Sequence, residues 1–165
     1  MYAFHGLVNN HGYALGVSGD VLMAVTLGVL AQLEKGKVQV NYTTATSGLK
    51  HNWITAVVPV DGEWMVGTYG AGVLGLDRSG HFHSFENATG AIEVNPNAML
   101  VTGSHVFAGT LGKGLYVYER DSGRWFVMDR GLPSANVTAL ALANGYLYVG
   151  TDNGLVRVRE RTVHP

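Results

Sequence analysis

The chain contains no cysteine. That excludes disulfide bridges, thiolate zinc sites and thiol nucleophiles. Charge is scarce as well: Asp, Glu, Lys and Arg make up 14% of the residues, against about 25% in an average soluble domain. The 11 basic and 12 acidic side chains leave a net charge of −1, which speaks against a basic nucleic-acid surface or a polybasic membrane patch. Proline is limited to 4 residues, and no apolar run approaches the roughly 18 residues of a membrane-spanning helix. The opening MYAFHGLVNN lacks the charged-then-apolar layout of a signal peptide. What is abundant is glycine, with 23 residues, and apolar residues, at 47% of 165. This suffices for one sizeable core but not for two ordinary domains.

The sequence repeats itself. GLVNNHGYAL from Gly6, GLKHNWITAV from Gly48, GAIEVNPNAM from Gly90 and GLPSANVTAL from Gly131 align without gaps, 42, 42 and 41 residues apart. A second marker keeps the same intervals: AVT ends at Thr26, VGT at Thr68, AGT at Thr110 and VGT at Thr151. Two independent markers with one period define a tandem array of four units.

Each unit reads as four short strands, A to D. In the last unit Val137 to Ala143 is a small-apolar run, Asn144-Gly145 a hairpin turn and Tyr146 to Thr151 an alternating strand. Asp152-Asn153-Gly154 turns again and Leu155 to Arg159 returns. No segment longer than a turn combines helical periodicity with caps, so helix is expected to be nearly absent. The A strands VTALALA and ITAVVPV are apolar on both faces, so each sheet must be covered on both sides, as stacking of one unit on the next would do. The period and the two-sided burial predict an all-β fold: a β-propeller of four four-stranded antiparallel blades. The blades are expected at about 12–44, 53–88, 95–130 and 136–160, the last with strands A to C only. Tyr2 to His5 reads as a D strand that completes this last blade and closes the ring. Three arrangements satisfy this reading: a closed monomer, two chains sharing an eight-bladed ring, or a piece of a longer propeller.

Gly131 to Val158, GLPSANVTALALANGYLYVGTDNGLVRV, resembles the two-component regulator propeller repeat. The resemblance rests on Gly131-Leu132-Pro133, Asn136-Val137-Thr138, Gly150-Thr151 and Gly154-Leu155. The second unit keeps Gly48-Leu49, Ile54-Thr55, Gly67-Thr68 and Gly72-Val73, and the third keeps Gly109-Thr110 and Gly114-Leu115. Two departures stand out: Pro96 in the third unit, and Val25 in place of the glycine before Thr26 in the first. The resemblance implies the fold and a tendency to bind ligands, as in the sensing regions of bacterial sensor kinases, which are usually periplasmic. Fold alone does not fix function.

Recurring Gly-Thr pairs are expected to be structural, the glycine for close backbone approach and the hydroxyl for turn amides. His81-x-His83 places two imidazoles at the start of a D strand without a third ligand nearby, so no metal and no cofactor are expected. The sequons at Asn41, Asn87 and Asn136 are read as incidental. In a propeller the D–A and B–C loops meet at the channel mouth, which singles out His11, Asn52, Trp53, Asn95 and Asn136 before the A strands. The B–C loops add Tyr69, Lys113 and Asp152. Asn side chains both donate and accept, and an aromatic plate stacks on the apolar face of a sugar. The expected partner is a small polar ligand, a glycan or a protein, bound without catalysis; nucleic acid and membrane are not expected. A lyase-like reading through His11, His51 and Glu93 is the lesser alternative, because no nucleophile–base pair is implied by spacing.

Overall fold

The computed structural model describes Leu7 and residues 11–49, 53–90 and 92–165. The expected strand Tyr2 to His5 lies outside these residues, as do Asn52 and His51.

Four antiparallel sheets follow one another along the chain. The first comprises β1 (Gly12–Ser18), β2 (Val21–Thr26), β3 (Val29–Glu34) and β4 (Lys37–Tyr42). The second comprises β5 (Ile54–Val60), β6 (Glu63–Thr68), β7 (Val73–Leu76) and β8 (Phe82–Ser84). The third holds β9 (Val94–Val101), β10 (His105–Thr110), β11 (Leu115–Glu119) and β12 (Arg124–Met128). The fourth has three strands, β13 (Val137–Ala143), β14 (Tyr146–Thr151) and β15 (Gly154–Arg159). Helix is confined to the short turns Glu86–Thr89 and Glu160–Thr162. Every sheet is an up-and-down meander, because each strand pairs with its successor through a short connection. The sheets thus reproduce the repeat read in the sequence. Among the described residues, none pairs with the outer edge of β15.

Stacking of the sheets makes the core. Met23, Val25 and Leu30 of the first sheet pack with Ile54, Val57, Trp64 and Leu74 of the second. Met65 and Val73 pack with Val94, Met99 and Val106 of the third, and Phe107, Leu115 and Val117 meet Val137, Leu147 and Val149 of the fourth. ITAVVPV is buried along most of its length between neighbouring sheets, whereas VTALALA, expected to be covered on both faces, lies at the end of the stack and is covered on one, leaving Thr138, Ala139 and residues 141–143 exposed.

The Gly-Thr pairs act as expected. A Cβ on Gly67 would lie 2.7 Å from Val94 Cγ1, and one on Gly109 would lie 2.8 Å from Val137 Cγ1 and the Val137 carbonyl. The glycine is therefore the socket into which the first strand of the following sheet leans. Thr68, Thr110 and Thr151 hydroxyls donate to the carbonyls of Gly72, Gly114 and Gly154 at 2.8, 2.6 and 2.9 Å, pinning each B–C turn. Val25, without a socket, is fully buried against the second sheet.

One register differs from the sequence alignment. Thr26, Thr68 and Thr151 pair with Gly12, Ile54 and Val137, each 14 positions earlier, whereas Thr110 pairs with Val94, 16 positions earlier. Two extra residues are accommodated in a bulge around Asn95-Pro96-Asn97. Pro96 has no amide hydrogen for the ladder, and Asn97 takes a left-handed backbone, φ 55°, which asparagine tolerates. Bulges of this kind re-aim side chains next to sites.

Candidate functional site

The bulge moves Asn95 out of the series in which the sequence placed it. The carbonyls of Trp53, Glu93 and Asn136 accept hydrogen bonds from the amides of Tyr69, Leu111 and Asp152 at 2.9, 3.0 and 3.3 Å. These three are equivalent positions, so the third sheet presents Glu93 before its A strand and not Asn95. Asn95 instead lies inside β9, 7% exposed. Its amide donates to Asn136 Oδ1 at 2.9 Å and to the Val137 carbonyl at 2.6 Å.

From Asn95 a polar chain continues across the fourth sheet. Asn136 Nδ2 donates to Asp152 Oδ2 at 3.2 Å, and the Asn136 amide donates to the Ser134 hydroxyl. Hydrogen bonds from Ser134 and Asn136 hold the Asp152 carboxyl below its ordinary range, so it is an anion at neutral pH. Asn153 Nδ2 and the Gly114 amide donate to the carbonyls of Pro133 and Ala135, tying the B–C loops of both sheets to one D–A loop.

Beside this chain lies an apolar rim. The rings of Trp53 and Tyr69 are 4.9 Å apart with a tilt of 37°, and Trp53 is 59% exposed. Tyr69 bridges to Glu93, whose carbonyl is bound by Leu111, itself partly open to solvent. The backbone of Glu93 therefore links the aromatic pair of the second sheet to Leu111 of the third. Lys113 is exposed on the same B–C loop as Leu111.

Of the residues singled out in the sequence, Trp53 is brought to Tyr69, and Asn95, Asn136 and Asp152 form a single hydrogen-bonded series. His11 is exposed ahead of β1. His81 and His83 flank the start of β8; His81 lies 3.8 Å from Asp77 and the His83 ring stacks edgewise on Phe85. Among the described residues, no group of three or more His, Asp or Glu side chains is arranged to hold a metal ion.

Asn97 escaped the sequence reading, and Glu93 entered it only through the lyase-like alternative. Asn97 Nδ2 donates to the Tyr13 carbonyl at 2.7 Å, joining the third sheet to the first across the inner strands. Glu93 enters the rim through its backbone. The Asn-Pro-Asn run was the available signal for both, since a proline within a strand announces a bulge.

No protein-family model matches the chain, and no curated protein aligns with it. Solved structures do. The extracellular domain of BT4673 from B. thetaiotaomicron, described as a hybrid two-component system, is 26% identical with a TM-score of 0.73 over 93% of this chain and 21% of that one. The corresponding domain of BT3049 from the same organism has a TM-score of 0.74 at 16% identity, over 94% of this chain and 24% of that one. The computationally designed protein Ika4 superposes with a TM-score of 0.68 at 18% identity, over 90% of this chain and 91% of its own. This chain spans between a fifth and a quarter of the two natural domains. No helix among the described residues is long and apolar enough to cross a membrane. In repeat motif and in fold together, the chain is similar to the two-component regulator propellers and takes the propeller-like form of their extracellular domains.

Proposed function

We propose that the chain is a non-catalytic, sensor-like binding module working outside the cytoplasm, and that the loop end built by Trp53, Tyr69, Asn95, Asn136 and Asp152 holds a small polar ligand. The observation that carries this reading is an exposed, tilted aromatic pair on the D–A and B–C loops of the second sheet and a pre-ordered amide and carboxylate series at the corresponding loops of the fourth. Aromatic plates take the apolar face of a sugar or a peptide side chain, while fixed amides and a carboxylate supply orientation. The bound-state geometry is held in advance by hydrogen bonds, so little ordering entropy is lost on binding. The likeness to extracellular domains of two-component systems supports both the sensor character and the location.

The test is a screen of neutral mono- and oligosaccharides and short peptides by intrinsic tryptophan fluorescence. Trp53→Ala should abolish binding of any hit while leaving the melting transition unchanged, because the indole is largely outside the core. Equal affinity of the variant would remove this loop end from consideration.

A further inference from the structure

The stack of sheets has two ends, and each end exposes apolar residues whose counterparts at the inner junctions are buried. On the first sheet, Leu15 and Val17 point away from the second sheet and are 64% and 61% exposed. They pair with Ala24 and Leu22; Leu15 borders a cleft of about 520 Å³ lined by Leu7, Tyr13 and Asn97, while Ala24, Ala31 and Leu33 of the same sheet are buried with Leu7. On the fourth sheet, Ala139, Ala141 and Ala143 pair with Gly150, Tyr148 and Tyr146 on the face opposite the core. Leu155, 66% exposed, Arg157 and Arg159 extend that face, with both guanidinium groups over the Tyr146 ring.

These are the same two faces that meet inside the chain. The positions equivalent to Tyr148, Leu155 and Arg157 in the third sheet are Phe107, Leu115 and Val117, all fully buried under the fourth sheet. The positions equivalent to Leu22 and Ala24 in the fourth sheet are Leu147 and Val149, fully buried against the third. Gly150 is the last socket: the three atoms nearest a Cβ there all belong to Ala139 of its own sheet, at 3.3 Å or more, where Gly67 and Gly109 are filled by the sheet that follows. A matching polar element also recurs. Arg120 and Glu160, each just after the C strand, reach the preceding A–B hairpin at Asp61 and at Thr102 with His105. The corresponding residue of the first sheet is Lys35.

We propose that each end face is the docking site for the other in a second copy, so that two chains join head to tail in one ring of eight sheets. The occupant is specified by continuity with the inner junctions: only another copy offers both faces at the same repeat register. In such a ring Lys35 comes to the Asn144–Gly145 hairpin of the second copy's fourth sheet. The arrangement is heterologous yet closed, which stops growth at two copies. This inference is independent of the ligand site at the loop end.

The experiment is sedimentation or light scattering on the 165-residue chain across a wide concentration range, with Leu15→Glu and Ala141→Glu made separately. Both substituted side chains are exposed, and circular dichroism verifies the fold; Val17→Glu and Leu155→Glu replace either variant that fails to fold. Wild type should run at twice the 17.6 kDa chain mass, and each variant alone should fall to the single-chain mass. An equimolar mixture of the two variants should regain the doubled mass, because one unaltered junction forms between an intact first face and an intact fourth face. A wild-type monomer, an open-ended ladder of species, variants that still pair, or a mixture that stays monomeric would each overturn the proposal.

Discussion

Glu160 Oε1 lies 2.8 Å from His105 Nδ1 and 2.6 Å from the Thr102 hydroxyl, fastening the turn after β15 to the hairpin of the third sheet. Burial alone would raise the Glu160 pKa, but the hydrogen bonds of Thr102 and His105 and the charge of His105 outweigh it, and the carboxyl sits below its ordinary value. A carboxyl with a lowered folded pKa stabilises the fold above its unfolded value near 4.5, and this contribution disappears as pH falls through the folded value. Glu160→Gln should therefore lower stability by about 1–2 kcal/mol at neutral pH, with a difference from wild type that shrinks toward pH 3. Urea midpoints measured between pH 7 and pH 3 would check it; a difference independent of pH would show that the ionised carboxylate is not what fastens the turn.

Asn95 gives a second pH-dependent prediction, this time from a carboxyl that the fold would disfavour. Its amide donates to two acceptors, Asn136 Oδ1 and the Val137 carbonyl, so a carboxylate at this buried position would face two oxygens. Asn95→Asp should cost about 1–3 kcal/mol at pH 7 and recover on acidification, because the protonated acid regains one donor. The folded pKa of the new group is raised, so the penalty is present above that value and lost below the unfolded one. Measured against wild type, both penalties should shrink on acidification, for Glu160→Gln because wild type loses its ion and for Asn95→Asp because the variant's acid is neutralised.

The glycine sockets give a steric prediction. Gly109→Ala places a methyl group 2.8 Å from Val137 Cγ1 and its carbonyl and 3.0 Å from Ala98 Cβ, an overpacking worth about 1–3 kcal/mol. Gly103→Ala meets nothing within 4 Å at an ordinary φ and should stay within about 0.5 kcal/mol of wild type. Thermal melts of the two would separate a packing role from a general preference for glycine.

Phe107 is fully buried between the third and fourth sheets. Phe107→Ala should cost about 3–5 kcal/mol. Because this residue joins two sheets, the loss should appear as a single lowered transition and not as a detached fourth sheet. Calorimetry with two separate transitions would mean that the sheets unfold independently.

By itself the sequence determined the repeat, the strand count of each unit and the structural purpose of Gly67-Thr68, Gly109-Thr110 and Gly150-Thr151. Those features are local: a hairpin turn, a strand's alternation and a small residue at a strand end are written in consecutive positions. It also assigned Trp53 and Asn136 to the same phase of the repeat and Asp152 to a B–C loop, and Asn136 and Asp152 are hydrogen-bonded. The tertiary structure decided what depends on phase being broken. Pro96 cannot complete its ladder bond, the third sheet bulges, and Asn95 leaves the phase that its spacing from Trp53 and Asn136 had assigned to it. Glu93 takes that place, and Asn97 reaches the first sheet. The exposed ends of the stack were likewise invisible in the sequence, because Leu15 and Tyr148 look like Leu140 and Phe107 until the neighbouring sheet is found covering one pair and not the other. Strand pattern records which faces are apolar; only packing in three dimensions records which of them have met.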